Sequence, residues 1–206
     1  MNNPSITLYG TELSGHTHRV VLLLTMLGLP YQFVTVPREE RRSSNFLKLN
    51  PLGQIPVLQD GSLVLADSNA IMVYLVKRYA PGSSWLPEEP VAASHVQRWL
   101  SIAAGEVTYG PAFARAFVQW NAPWDHKITL RIAERLLTFM DNHLVDREYL
   151  AVDHATIADL ACYPYIAHVP EGGISLDDYP TVRAWIERVE SLPQFIPMPA
   201  SPISQI

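Results

Sequence analysis

The chain has 206 residues, 48% of them apolar, enough for one large domain or two modest ones with a real core. Only 17% are charged, below the ~25% usual for soluble domains, which fits a large buried interface such as a dimer's. The formal net charge is −5, and the densest basic cluster, Arg38, Arg41 and Arg42, is interleaved with Glu39 and Glu40, which argues against nucleic acid or an anionic membrane as main partner. The one cysteine, Cys162, cannot form an intrachain disulfide, so a reducing compartment is expected. Residues 1–5 show no basic segment leading into an apolar core. The longest strongly apolar run, Val20 to Leu24 with Met26 and Leu27, is far short of the ~20 residues that span a bilayer. These features predict a soluble cytoplasmic protein.

In chain order, Ile6 to Tyr9 reads as a short buried strand, followed by a helix from about Thr17 to Leu27 that Gly28 caps and Pro30 ends. Tyr31 to Val36, rich in β-branched and aromatic residues, is a second strand. Phe46 to Leu49 forms a short helix stopped by Asn50-Pro51. Asp60-Gly61-Ser62 between two apolar runs predicts a hairpin. The next helix, Ser68 to about Tyr79, is apolar on two faces: Ile71, Tyr74 and Leu75 on one, Met72, Val76 and Tyr79 on the other. Together these elements predict a small mixed α/β layer.

Ala80 to Ser84 and Pro87 to Pro90 read as a linker, beyond which strand signals disappear. Val91 to Tyr109 is expected as one helix, with Pro111 to Trp120 continuing it after a Gly110-Pro111 break. His126 to Leu144 carries apolar residues at three- and four-residue spacing. Thr156 to Asp159 has the pattern of a capping box and opens a helix to about His168. Thr181 to Leu192 is the last helix, and the proline-rich tail from Pro193 is expected to be extended. The domain boundaries read as 1–81 for an α/β domain and 88–206 for an all-helical one.

Three segments, in this order, resemble the cytosolic glutathione transferases: Asn50-Pro51-Leu52-Gly53-Gln54-Ile55-Pro56-Val57-Leu58, Ala66-Asp67-Ser68-Asn69-Ala70-Ile71, and the capping box Thr156 to Asp159. The resemblance spans nearly the whole chain. It implies a thioredoxin-like N-terminal domain, an all-α C-terminal domain, a homodimer and glutathione as co-substrate. It also implies that Pro56 is cis and that the Ile55 backbone pairs with the cysteinyl unit of glutathione. An ordinary trans proline opening an edge strand would fit the bare sequence.

By the same resemblance, Asp67 takes the glutathione ammonium, and Ser68, at the start of a helix, takes the γ-glutamyl carboxylate on free N–H groups. Many relatives carry Glu where this chain has Asp67. The bland alternative for both residues is helix capping. Arg41, Arg42 and Gln54 fall where the family binds the glycyl end; the arginines equally fit a solvated charge run.

Leu13-Ser14-Gly15-His16-Thr17-His18-Arg19-Val20 resembles the serine-type catalytic motif of the family, which makes Ser14 the catalytic candidate. A hydroxyl donating to sulfur at a helix N-terminus favours a thiolate over a thiol whose ordinary pKa is about 8.5. Ser14 as a simple helix cap is the alternative. Thr17, His16 and His18 compete for the role, and Tyr9 reads as core. Trp99, Ala103, Glu106 and Tyr109 lie near one face of the first C-terminal helix and, with His16, are candidates for an electrophile pocket; such a stripe also reads as core. Cys162 reads as inert packing, and no histidine has metal-ligand spacing, so no metal is expected.

The function implied is conjugation of glutathione to small hydrophobic electrophiles in detoxification. The alternatives are a glutathione-dependent disulfide reductase or peroxidase, and a non-catalytic glutathione-binding scaffold. The isomerase branch of the family usually has Ser-Ser-Cys where this chain has Ser14-Gly15-His16, which counts against isomerisation.

Overall fold

The computed structural model describes residues 6–201. The chain forms two compact units: one runs to Ser83 and also holds Pro193–Pro199, and the other holds Ser84–Leu192 with Ala200 and Ser201. The first unit is thioredoxin-like. Its elements are β1 (Ile6–Gly10), α1 (Gly15–Met26), β2 (Tyr31–Thr35), α2 (Ser44–Leu49), β3 (Val57–Asp60), β4 (Leu63–Ala66) and α3 (Ser68–Tyr79). The sheet order is β2-β1-β3-β4, with β1 and β2 parallel and the other pairs antiparallel.

The register puts Leu8 opposite both Phe33 and Leu58, and Tyr9 opposite Val57. Because side chains alternate across a sheet, this sorts the strands into two faces. Tyr9, Val57 and Ala66 meet Phe46 and Leu49 of α2 on one face. Ile6, Leu8 and Leu58, all buried, point to the other. The hairpin closes at Gly61, whose φ of +58° suits a residue without Cβ. In α3 both apolar faces are used: Ile71, Met72, Leu75 and Val76 are all buried.

Helix α1 begins at Gly15, two residues before the expected start. Ser14 caps it, and its first turn, Gly15-His16-Thr17, has no apolar periodicity to betray it. That turn lies hard against β1. A Cβ on Gly10 would fall 2.4 Å from the Thr17 methyl carbon, so only glycine fits the end of this strand.

The second unit is helical: α4 (Pro90–Ala104), α5 (Phe113–Trp120), α6 (His126–His143), α7 (Ile157–Ala167) and α8 (Pro180–Glu190). The helix expected over 91–109 stops at Ala104, capped by Gly105, and a π-helical turn, Thr108–Ala112, precedes α5. Pro111 lies inside that turn, where the wider winding accommodates a residue with no N–H to give. Gly110 permits close approach to α6, since a Cβ there would fall 2.8 Å from the Ala133 nitrogen.

Helix α7 is the buried spine of this unit, with every residue from Ile157 to Ile166 buried. Its capping box is complete: Thr156 and Asp159 satisfy each other's end of the helix. Asp159 does more. It also accepts hydrogen bonds from the Leu150 N–H at 3.0 Å and the Trp185 indole N–H at 2.9 Å. Burial raises its pKa, and these bonds together with the Thr156 N–H and hydroxyl offset only part of the rise.

Asp159→Ala would strand three buried N–H donors, each costing about 1–3 kcal/mol. Urea unfolding should show a loss of at least about 3 kcal/mol. Asp159→Asn keeps one acceptor oxygen and should lose roughly half as much.

Candidate functional site

Ser14 stands at the N-cap of α1, with extended backbone and its Oγ accepting from the Thr17 N–H at 3.3 Å. That bond uses an oxygen lone pair. The hydroxyl proton has no acceptor among the described residues and can be given to a ligand. The turn before it is held by Ser14 N–H donating to the Thr11 carbonyl at 3.1 Å.

The second piece of the site is backbone. The Ile55–Pro56 peptide is cis. The N–H and C=O of Ile55, in the loop before β3, have no backbone partner among the described residues. Asn50 builds this loop from within. It is buried, its Nδ2 donates to the Gln54 carbonyl at 2.8 Å, and its Oδ1 accepts from the Leu52 N–H at 3.1 Å. Gly53, at φ +66°, lets the Arg41–Arg42 segment approach: a Cβ there would fall 2.8 Å from the Arg41 carbonyl and 3.5 Å from an Arg42 guanidinium nitrogen. The structure thus brings the Arg41 carbonyl and the Arg42 side chain against Gly53, the residue before Gln54. Arg42 and Gln54 are exposed, whereas Arg41 is half-buried and donates to the Val36 carbonyl at 3.4 Å.

The third piece is the start of α3. Asp67 is its N-cap, with Oδ1 accepting from the Asn69 and Ala70 N–H groups, both at 2.9 Å. Its φ is +72°, a conformation that favours glycine and strains any other residue by about 1–3 kcal/mol. Its second carboxylate oxygen has no partner among the described residues. Ser68 follows, buried, at the first helical position.

Arg19 ties these pieces together. Its guanidinium, on α1 five residues after Ser14, is buried and donates to Ser68 Oγ at 3.2 Å and Asn69 Oδ1 at 3.0 Å. The two helix N-termini are therefore fixed to one another through one side chain. The sequence motif contains Arg19, but nothing in its spacing reveals that it joins α1 to α3, and the same holds for Asn50 in its loop; the available signal in each case is a polar residue inside an otherwise apolar or turn-forming run.

His16 lies beside Ser14. It keeps some exposed surface, yet burial, above all, and the Arg19 charge hold its imidazole at a pKa of about 3. Thr17 and His18 are buried in the first turns of α1. Tyr9 donates to Gln59 at 3.2 Å and packs with the α2 side of the sheet.

In the helical unit, Trp99 is buried under Phe139 and His143. Glu106 is half-buried, and Tyr109 is exposed, edge-on to Phe113. Cys162 is buried. Among the described residues no three His, Cys, Asp or Glu side chains are grouped to hold a metal ion, and no helix is long and apolar enough to cross a membrane.

Two variants of Asp67 separate its capping from its strain. Asp67→Ala loses both caps and keeps the strain, and should cost about 1–2 kcal/mol. Asp67→Gly loses the caps but relieves the backbone, and should be near neutral. Denaturant titration of both checks this. His16 adds a pH signature. A histidine with a lowered folded pKa contributes stability that is present above its unfolded value of about 6.5 and is lost as pH falls toward 3. His16→Gln should flatten the fall in stability between pH 6.5 and 4.

Comparisons with known proteins identify the family of the chain. Residues 8–84 match the model of the glutathione S-transferase N-terminal domain, and residues 109–193 that of the C-terminal domain. The chain is 32% identical to glutathione S-transferase 3 of Zea mays, over 97% of this chain and 98% of the relative. It is 29% identical to glutathione S-transferase theta-2 of Rattus norvegicus, over 90% and 81%. Among solved structures, a glutathione S-transferase from Pseudomonas fluorescens superposes with a TM-score of 0.87 at 32% identity, covering 94% of this chain and 98% of that one. A glutathione transferase homologue from Drosophila mojavensis with bound glutathione superposes with a TM-score of 0.84 at 29% identity, covering 92% and 89%. A thioredoxin-like unit with these pieces of site, followed by a helical unit and matched along nearly its whole length, places the chain in the glutathione S-transferase family, as an enzyme of that family.

Proposed function

We propose that this enzyme conjugates the glutathione thiolate to small hydrophobic electrophiles, with Ser14 as the group that holds the thiolate. The observation that carries the reading is the Ser14 hydroxyl at the N-cap of α1, with a proton to give and Arg19 fixing its helix to α3. A solved relative that carries glutathione supports the tripeptide as the ligand.

The cradle then follows from chemistry. The N–H and C=O of Ile55, outside the backbone ladder, suit the two backbone groups of the cysteinyl residue. Ser68, at the positive end of α3, suits the γ-glutamyl carboxylate, and the second oxygen of Asp67 suits its ammonium. Arg41, Arg42 and Gln54 face the glycyl carboxylate. The thiol proton leaves to solvent, Ser14 donates to the sulfur anion, and the sulfur lone pair bonds to the electrophilic carbon, whose leaving group departs with its bonding pair. Serine is not itself the nucleophile.

His16 takes no part as a base. With a pKa of about 3 it is too weak to accept the thiol proton near neutral pH. The protein acts as a cytoplasmic homodimer, a reading supported by its single buried cysteine and low charged fraction.

The test is the pH dependence of conjugation to a chromogenic chloronitroarene. In the wild type, kcat/KM should rise with pH through a midpoint well below about 8.5, the ordinary value for a thiol. Ser14→Ala should move that midpoint up toward 8.5. It should also lower kcat/KM at pH 6.5 at least about tenfold, the effect of losing about 1.4 kcal/mol of thiolate stabilisation. His16→Gln should leave the midpoint in place. Glutathione bound with its thiol at the ordinary acidity would remove Ser14 from the role.

A further inference from the structure

The C-terminal tail passes from one compact unit to the other and back. The chain leaves the helical unit after Leu192, joins the thioredoxin-like unit over Pro193–Pro199, and returns to the helical unit at Ala200 and Ser201. Pro193, Pro197 and Pro199 fix φ and leave the segment little freedom. Gln194 turns the chain into it at a φ of +62°, a left-handed conformation that is unfavourable for a residue with a Cβ and persists only where its surroundings hold it.

The far end of the tail is held by buried charge. Glu171, in the turn Val169–Gly172, accepts on Oε2 from Arg115 Nε of α5 at 2.5 Å. On Oε1 it accepts from His168 Nδ1 at 2.7 Å and from the Ser201 N–H at 2.9 Å. Arg115 also donates to Ser201 Oγ at 3.0 Å. Arg115, Glu171 and Ser201 are all buried. A buried ion pair tolerates little misplacement, because each unmet donor or acceptor is costly. Ser201 meets one need of each partner, its N–H serving the carboxylate and its oxygen the guanidinium.

Between these fixed points the tail lies beside α1 within the thioredoxin-like unit. Met198 seats it, 4% exposed. Ile196, Pro197 and Pro199 line a groove of about 330 Å³ together with Thr17 and His18 of α1. Those two helix residues are buried, and both bond to Ser14: the Thr17 N–H to its Oγ at 3.3 Å, and the His18 N–H to its carbonyl at 2.8 Å. The residues that form the N-cap hydrogen bonds of α1 are therefore the ones that share the groove with the tail. Helix ends fray where they lack such packing.

We propose that Arg115, Glu171 and Ser201 form a clasp that holds the tail on α1, and that the tail is a positioning element for the Ser14 hydroxyl. This rests on the reading of Ser14 as the group that holds the thiolate. With the clasp closed, Thr17 and His18 stay packed and Ser14 Oγ keeps one orientation toward the sulfur. With it open, water enters the groove, the first turn frays and the hydroxyl loses that orientation. The clasp residues act through the tail and α1 and take no part in the chemistry.

Two variants release the tail at different points. Ser201→Pro removes the N–H that Glu171 accepts and the hydroxyl that Arg115 reaches, and leaves the Arg115–Glu171 pair in place. Met198→Ser unseats the middle of the tail. Thermal unfolding shows which of them fold. Amide hydrogen exchange is then read at Thr17 and His18, and beside it the pH midpoint of kcat/KM for conjugation to the chromogenic chloronitroarene. Each folded variant should speed exchange at these two amides at least about tenfold. It should also move the midpoint up toward the Ser14→Ala value, and lower kcat while KM for glutathione changes less than about twofold. In the Ser14→Ala background, Ser201→Pro should move the midpoint no further, since the tail acts through Ser14. Unchanged exchange at Thr17 and His18 in the folded variants would overturn the clasp. Faster exchange with an unmoved midpoint, where Ser14→Ala does move it, would overturn the positioning role. An unmoved midpoint in Ser14→Ala itself would instead remove the thiolate role of Ser14 and the positioning role with it, while exchange still shows whether the clasp holds α1.

Discussion

A buried guanidinium organises the catalytic unit. Taking Arg19 out of water costs several kcal/mol unless its donors are satisfied. Two of the acceptors it finds, Ser68 Oγ and Asn69 Oδ1, belong to the first turn of α3. Meeting the needs of one charge therefore fixes α3 against α1, and with it the two helix N-termini that carry Ser14 and Ser68. These two acceptors are neutral. The positive ends of two helices and a cation then share one unit, a field suited to a ligand that presents a carboxylate and a thiolate. The same charge helps keep His16 neutral.

Much of the remaining site is made of main chain. Ile55 offers its N–H and C=O because the segment around a cis proline leaves the ladder of β3, and Asn50 uses both ends of its amide to keep that segment in place. Asp67 shows what such a site tolerates. Its φ of +72° would suit glycine, yet the position holds a carboxylate whose one oxygen caps the helix while the other remains available. A glycine would relieve the backbone but surrender the charge, and a residue without a cap would keep the strain for nothing. An acceptor side chain serves the helix end here in spite of the strained backbone.

Features with a local signature are the ones legible in the sequence. The Asp60-Gly61 hairpin, the Thr156–Asp159 capping box and the start of α3 each rest on neighbours a few residues apart, and each stands where its pattern predicts. The family resemblance carries the cis proline, which the bare residues leave open. The first turn of α1 escapes a reading by period because Gly15, His16 and Thr17 have none; its shape is imposed by Ser14 at one end and by β1 pressing through Gly10. The break after Ala104 is likewise hidden, since winding over Pro111 depends on Gly110 meeting Ala133 on a helix more than about twenty residues away. Arg19 belongs with these. A lone arginine in an apolar helix advertises its burial, but its partners lie 49 and 50 residues downstream, and no spacing rule connects them. The contacts that assemble the site are long-range and polar, whereas the patterns that can be read in a sequence are short-range and mostly apolar, so the pieces of the site are visible before the side chain that joins them.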